Sequence, residues 1–435
     1  MRNLAIAAAL VLACAALLVL AWPSPQDSGY GPPPRLAAGK APPLPKDGPL
    51  AAPRSFRQVG LPQALTLSQI PAGSPVTPAA AALGEKLFFE RRLSGDGNVS
   101  CASCHNPVRA FTDGRPTSIG IKGCVGQRNA PTILNAIYNK FQFWDGRAAT
   151  LELQAALPIT NPCEMGASSV AAAAAKIAHD QDYRRGFANA YRRGPNPQDL
   201  VSAIATYERT LVSFNSPFDR FIAGDRKAIS PSAQRGWQSF NGKARCHLCH
   251  ALTDTAPDPT LFIDQDFHNI GIGIIRHNVV ALDRHAEREL ASGQLAQIDT
   301  AAINSNLSVL GRFLLTKKPT DTAAFKTPGL RNVMVTGPYF HDGSQQTLWD
   351  AVDHYNKGDG VKNPWLDTDM QPLALGEPEI DDLVAFMASL TSPQYQDLAD
   401  KELARQSSIA KVSRPQRDTK RAFGPKVQQP PVPKL

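Results

Sequence analysis

Two stretches, Cys101-Ala-Ser-Cys104-His105 and Cys246-His-Leu-Cys249-His250, carry the same Cys-x-x-Cys-His pattern, and no other feature restricts the chain as much. Two thiols three residues apart share one turn and reach the two vinyl groups of a haem, and the next residue, an imidazole, lies beneath the iron. A zinc site would need two such pairs converging on one metal, and a redox dithiol has no use for the histidine. The pattern therefore predicts two covalently bound haems c. Cys101, Cys104 and His105 would hold one, and Cys246, Cys249 and His250 the other. His247 is expected to face solvent. Two haems have four axial positions, of which His105 and His250 take two. An electron carrier fills the other two, whereas an enzyme leaves one open.

The pattern comes with repeated surroundings. Gly84 precedes Phe88 by four residues on a helical stretch before the first motif, and Gly236 precedes Phe240 by four before the second. A helix-turn-motif unit thus occurs twice, about 145 residues apart, as a duplicated domain would show. The chain of 435 residues is long enough for two cores. Strand signals are sparse and short, so the expected fold is mainly α, with two cytochrome c-like haem domains and long loops. A peroxidatic haem domain is expected over 61–198 and an electron-transfer haem domain over 199–395, with the boundary near the helix at 199–214. Glu379–Thr391 reads as a further helix, with an acidic start and apolar i, i+3, i+4 spacing.

The ends differ from the middle. Leu4–Trp22 is apolar and uncharged behind Arg2, which reads as a signal peptide or N-terminal membrane anchor over 1–22. Cys14 after Val-Leu-Ala only faintly resembles a lipoprotein box, because apolar sequence runs on past it. Residues 23–60 are Pro-, Gly- and Ala-rich and read as a linker. The formal charge of +8 is concentrated in residues 401–435, which hold nine Lys/Arg against two Asp/Glu. With that surplus removed the chain is close to neutral, so nucleic-acid binding is not expected. Residues 396–435 read as a basic, Pro-rich disordered tail. Export places the protein in the periplasm, either free after cleavage or anchored, with membrane contact only through the N-terminus.

Several motifs, in order, resemble the bacterial di-haem cytochrome c peroxidase and MauG superfamily over about residues 60–395. They are LFFERRLSGDGNVSCASCHNP, RNAPTILNAIYN, FQFWDGRA, NPCEMG, ERTLVSFNSPFDR, FHNIGIG and FKTPGLRNVMVTGPYFHDGS with TLWDAVDHYNKG. The resemblance implies that the first haem reacts with peroxide and the second stores or relays an electron. It implies that Trp144 lies between the haems, that Glu164 is the distal acid and that Gln154 orients peroxide. It also implies a calcium ion held near Asn129, Thr336 and Pro338, oxygen ligands that suit a hard cation. Without the resemblance, Trp144 would read as a core residue and Glu164 and Gln154 as ordinary polar ones.

Two departures bear on function. Where many relatives place a histidine that caps the resting first iron, this chain has Ile121 in SIGIKG, so that haem is expected to stand open in a MauG-like manner. Where a methionine caps the second iron, fourteen residues after His341, this chain has Tyr355. A phenolate favours ferric and higher states, unlike a thioether. His354, Met334 and Met370 are rival ligands. Cys124 and Cys163 belong to neither motif. In an oxidising compartment they read as a disulfide, with two buried thiols as the alternative. The expected function is reduction of hydrogen peroxide with electrons from a small c-type cytochrome or similar donor. The alternatives are a MauG-like enzyme that uses high-valent di-haem iron to oxidise a protein or organic substrate, and a multihaem electron carrier.

Overall fold

A computed structural model describes residues 74, 76–250, 261–274, 279–358 and 363–419. The expected signal or anchor, the linker and the last residues of the chain lie outside the described residues. Among those described, no helix is long and apolar enough to cross a membrane.

The chain is mainly α. The first half contains α1 (Pro78–Phe88), α2 (Cys101–Cys104), α3 (Leu151–Thr160), α4 (Val170–Ile177), α5 (Gln181–Tyr191) and α6 (Pro197–Thr210). The second contains α7 (Pro217–Ile222), α8 (Pro231–Asn241), α9 (Val279–Glu289), α10 (Leu295–Asn304), α11 (Phe313–Thr316), α12 (Leu348–Lys357), α13 (Glu377–Ala388) and α14 (Gln396–Thr419). Two two-residue strands, β1 (Phe267–His268) and β2 (Phe325–Lys326), pair antiparallel, with Phe267 opposite Lys326.

The duplication is visible in how helices start and cross. α1 begins on a Thr77 cap followed by proline, and α8 on a Ser230 cap followed by proline. A hydroxyl that takes an orphan N–H, followed by a residue whose φ is already helical, starts both helices. α1 then crosses α6 at Gly84, and α8 crosses α13 at Gly236. A methyl group on Gly84 would run into the Ala203 carbonyl and come 2.9 Å from Tyr207 Cβ. One on Gly236 would run into the Asp382 carbonyl and come 2.9 Å from Phe386 Cβ. Only glycine permits either close approach.

The repeat extends into the loops. Asn135, Phe143 and Gly146 have positive φ, and so do Asn332, Phe340 and Gly343, each 197 residues later. The same offset carries the Thr150 cap of α3 onto the Thr347 cap of α12. α3 and α12 are therefore equivalent helices in the two halves.

Three expectations need correction. α6, placed at the start of the second domain by a boundary at 199, packs on α1 and belongs to the first half, since the Gly84 crossing is made with it. The basic tail is helical as far as Thr419. Ala399, Leu403, Gln406 and Ala410 recur at i, i+4, i+7 and i+11 and face the core. The charged residues between them masked that stripe. His247 is half-buried, with Nδ1 3.4 Å from the Phe240 carbonyl. One apolar core runs through both halves, from Leu83 to Ala410, and a second, smaller one gathers α9, α10 and α11 around Leu310 and Phe313.

Candidate active site

A single cavity with mainly apolar walls connects the two Cys-x-x-Cys-His motifs, and all six of their cysteines and terminal histidines line it. The first motif is held on α2 by a reciprocal cap in which the Ser100 N–H donates to Ser103 Oγ at 3.0 Å. The His105 N–H bonds to the Cys101 carbonyl and the His250 N–H to that of Cys246, both at 2.9 Å, so each imidazole follows its thiols over one turn. His105 Nδ1 lies 3.1 Å from the Phe111 carbonyl, and His250 Nδ1 lies 2.9 Å from that of Phe262. Both phenylalanines have positive φ, which turns their carbonyls towards the rings. A histidine whose Nδ1 donates to a carbonyl offers Nε2 to a metal in a fixed orientation. Burial pushes both imidazoles below their ordinary pKa, which keeps them neutral for that role.

On the first-half side, α3 brings Gln154 and Pro158 to the wall, and the turn after it brings Glu164. Gln154 Oε1 and Glu164 Oε2 are buried without a hydrogen-bond partner among the described residues. Unpartnered oxygens of this kind are costly unless a ligand or water meets them. Burial and the nearby Asp299 carboxylate raise Glu164 to a pKa of about 8, against the opposing pull of Arg147.

Ile121 starts a short 3-10 turn, Ile121–Gly123, and does not line the cavity. Its side chain points to Gly166, and its N–H donates to the Glu164 carbonyl at 2.9 Å. Cys124, next on this loop, is disulfide-bonded to Cys163, with Cα atoms 5.2 Å apart. The loop of Ile121 and the turn of Glu164 are thus tied by a covalent bond and a hydrogen bond side by side.

Tyr355, on α12, lines the second-half side of the same cavity. By the 197-residue offset its counterpart on α3 is Pro158, a side chain that cannot ligate a metal. Of the rivals, His354 turns away, with Nε2 2.9 Å from the Ile270 carbonyl, and Met334 is packed in the core off the cavity wall. Met370 shares the wall with Tyr355. Burial holds the phenol well above its ordinary pKa. A bound ferric ion is the kind of charge that reverses such a shift.

Trp144 lines the same cavity, its indole N–H donating to the Asn129 carbonyl at 2.9 Å. Asn129, Thr336 and Pro338 also line the cavity. The Asn129 amide Nδ2 is committed to the Arg115 carbonyl at 2.8 Å, which leaves Oδ1 as its free acceptor type.

Three cations of the cavity carry no signature in the sequence alone. Arg128, Arg147 and Lys326 are each less than a tenth exposed and line the cavity. Arg128 Nη1 and Arg147 Nη2 lack hydrogen-bond partners among the described residues, and burial lowers Lys326 to about 8. Buried cations facing an apolar cavity fit the carboxylates of a haem. They occur inside quoted motifs (RNAP, DGRA, FKTP), but only the fold shows that they converge. Among the described residues, one group of His, Cys and carboxylate ligands is close enough to share a metal: Cys249, Asp264 and His268. Cys249 belongs to the haem motif and His268 is bonded to Asp264 and Asp367, at 2.8 and 2.6 Å.

A family model described as di-haem cytochrome c peroxidase matches residues 78–227. The methylamine utilization protein MauG of Methylorubrum extorquens is 37% identical over 322 residues, covering 74% of this chain and 80% of that protein. The cytochrome c peroxidase Ccp of Escherichia coli is 34% identical, covering 77% of this chain and 62% of the relative. Among solved structures, a MauG-like protein associated with microbial copper homeostasis superposes with a TM-score of 0.63 at 30% identity, covering 77% of this chain and 95% of that one. The diheme peroxidase BthA from Burkholderia thailandensis superposes with a TM-score of 0.58 at 29% identity, covering 73% and 87%.

Proposed function

Because the chain belongs to the di-haem cytochrome c peroxidase and MauG family, and is an oxidoreductase with two c-type haems, we propose that its first haem is the open, peroxide-reacting one and its second the tyrosine-capped relay. The observation that carries this reading is the asymmetry of two equivalent helices. α12 presents Tyr355 to the cavity where α3 presents Pro158, with Gln154 and Glu164 beside it. Cys101, Cys104 and His105 would hold the first haem, and Cys246, Cys249 and His250 the second. The buried guanidinium groups of Arg128 and Arg147 suit the haem carboxylates.

The haems supply iron that exchanges electrons with peroxide. The protein supplies the proton traffic. Gln154 Oε1 accepts a hydrogen bond from peroxide and orients it. Glu164 takes a proton from one peroxide oxygen and returns it to the other, which departs as water. A carboxyl near pKa 8 both accepts and gives a proton close to neutral pH. Hydrogen peroxide, two electrons and two protons give two waters. Trp144 offers an oxidisable ring between the haem sites.

The electrons come from a small c-type cytochrome or similar donor. The second reading, oxidation of a protein or organic substrate, is favoured by Tyr355, since an anionic oxygen ligand stabilises iron above the ferrous state. Asn129, Thr336 and Pro338 would hold a calcium ion. The apolar Leu4–Trp22 segment and the Cys124–Cys163 disulfide support a periplasmic location. The test is stopped-flow mixing of the oxidised di-haem protein with hydrogen peroxide and a reduced small c-type cytochrome. Catalytic oxidation of the cytochrome is expected. Peroxide-dependent oxidation of neither that cytochrome nor any supplied protein or organic donor would contradict the reading.

A further inference from the structure

The peroxide side of the cavity is braced by an element from the far half of the chain. Asp299, on α10, is 2% exposed and reaches two partners in the first half. Arg147 Nε donates to its Oδ1 at 2.8 Å, and Asn161 Nδ2 donates to its Oδ2 at 2.6 Å. Asn161 is also 2% exposed and is the hub of the turn that carries Glu164. Its main-chain carbonyl accepts the N–H groups of Glu164 at 3.1 Å and Gly166 at 2.8 Å, and its Oδ1 accepts that of Cys163 at 2.9 Å. One turn further along α10, the Ile303 carbonyl accepts the Gln127 N–H at 2.9 Å, next to the disulfide loop.

We propose that Asp299 is a positioning residue of the peroxide site: from the second half of the chain it fixes the Asn161 turn that presents Glu164, and it sets the charge that Glu164 faces. This rests on the reading of Glu164 as the distal acid. Both carboxylate oxygens of Asp299 are committed, one to a cation and one to the hub amide, so neither is free to accept a proton from peroxide itself. The charged groups around Glu164 are Arg147, from the loop after Trp144, and Asp299, from α10, with Asp145 and Arg128 behind Arg147. The Cys101 and Cys104 sulfurs are also near, but as thioethers they do not titrate. Arg147 is shared between Asp145 and Asp299, so its charge is largely compensated before it reaches Glu164. Burial, then Asp299, raises Glu164 to about 8. Without Asp299 the acid would lose its proton at lower pH and its turn would lose an anchor.

The experiment is a pH titration of fluoride binding to the oxidised holoprotein, followed in the visible spectrum. Fluoride on an open ferric haem is held by a distal hydrogen-bond donor, so its affinity falls as Glu164 ionises. Wild type should show a midpoint near 8. Asp299→Asn should lower it by about one pH unit, as loss of a like charge requires. Glu164→Gln should abolish it. If Glu164→Gln abolishes the midpoint but Asp299→Asn leaves it in place, the inference about Asp299 is wrong and the distal acid stands. If Glu164→Gln keeps the midpoint, the distal-acid reading itself fails. Should Asp299→Asn not yield holoprotein, Asp299→Glu keeps the charge and displaces the hub. It should hold the midpoint but slow the reaction with peroxide by about tenfold or more, and a wild-type rate would overturn the positioning role.

Discussion

At the scale of single residues, the peroxide chemistry proposed here rests on groups whose polar atoms have no partner among the described residues. Glu164 Oε2 and Gln154 Oε1 are buried and unmatched on one wall. If they handle peroxide, Glu164→Gln should retain both haems and slow the bimolecular reaction with peroxide by roughly 10²–10⁴-fold. Stopped-flow rates measured across pH check this, and a change below about threefold would place the proton transfer elsewhere. Tyr355 carries the second residue-level prediction. Tyr355→Phe should leave both haems attached, because the thioether bonds are untouched, but should change the spin state of one ferric haem. An unchanged spectrum would make Met370, which shares the wall, the better ligand. The motif residues were legible in sequence because their chemistry is local: thiols and imidazole lie within five positions. Asp299 was not, because its meaning comes from Arg147 and Asn161, which are 152 and 138 residues away.

At the scale of elements, the two halves rest on the same device, a glycine at a helix crossing. Gly84→Ala and Gly236→Ala each force a methyl group against backbone, so each should destabilise the protein by at least about 1–3 kcal/mol. The change should appear as a lowered Tm in holoprotein. A tolerated alanine at either site would mean that the crossing is looser than the geometry requires. The disulfide belongs to this scale as well, because it joins two loops. Closing 39 residues should contribute about 4 kcal/mol through the unfolded chain. Cys124→Ala with Cys163→Ala should lower Tm accordingly, and alkylation of both thiols in denatured wild type would reject the bond. The Gly-x-x-x-Phe repeat made α1 and α8 readable. α6 was harder to assign, since its apolar stripe does not state which glycine it crosses. α14 is polar and basic in composition, which hides it in the sequence, although four residues at helical spacing suffice to dock it.

At the scale of the whole molecule, a duplicated chain has made its two halves unequal. The positive-φ asparagines, phenylalanines and glycines repeat with one offset, as do the capping threonines of α3 and α12. The side chains those helices turn to the cavity do not. Pro158, Gln154 and Glu164 line the cavity from one half, and Tyr355 lines it from the other. The halves also support each other. α10 of the second meets the turn after α3 of the first, where Asn161 Nδ2 donates to Asp299 Oδ2 at 2.6 Å, and within the second half the fully buried Gln406 of α14 donates to the Met334 carbonyl and accepts from the Leu348 N–H at the start of α12. The division of labour proposed for the two haems would thus operate within one continuous core.

The most direct test of that division is the electron paramagnetic resonance spectrum of freshly purified, fully oxidised holoprotein, recorded before any reductant is added. An open first haem beside a tyrosine-capped second haem predicts one high-spin and one low-spin ferric signal in equal amounts. Two low-spin signals, with high spin appearing only after one-electron reduction, would contradict the account.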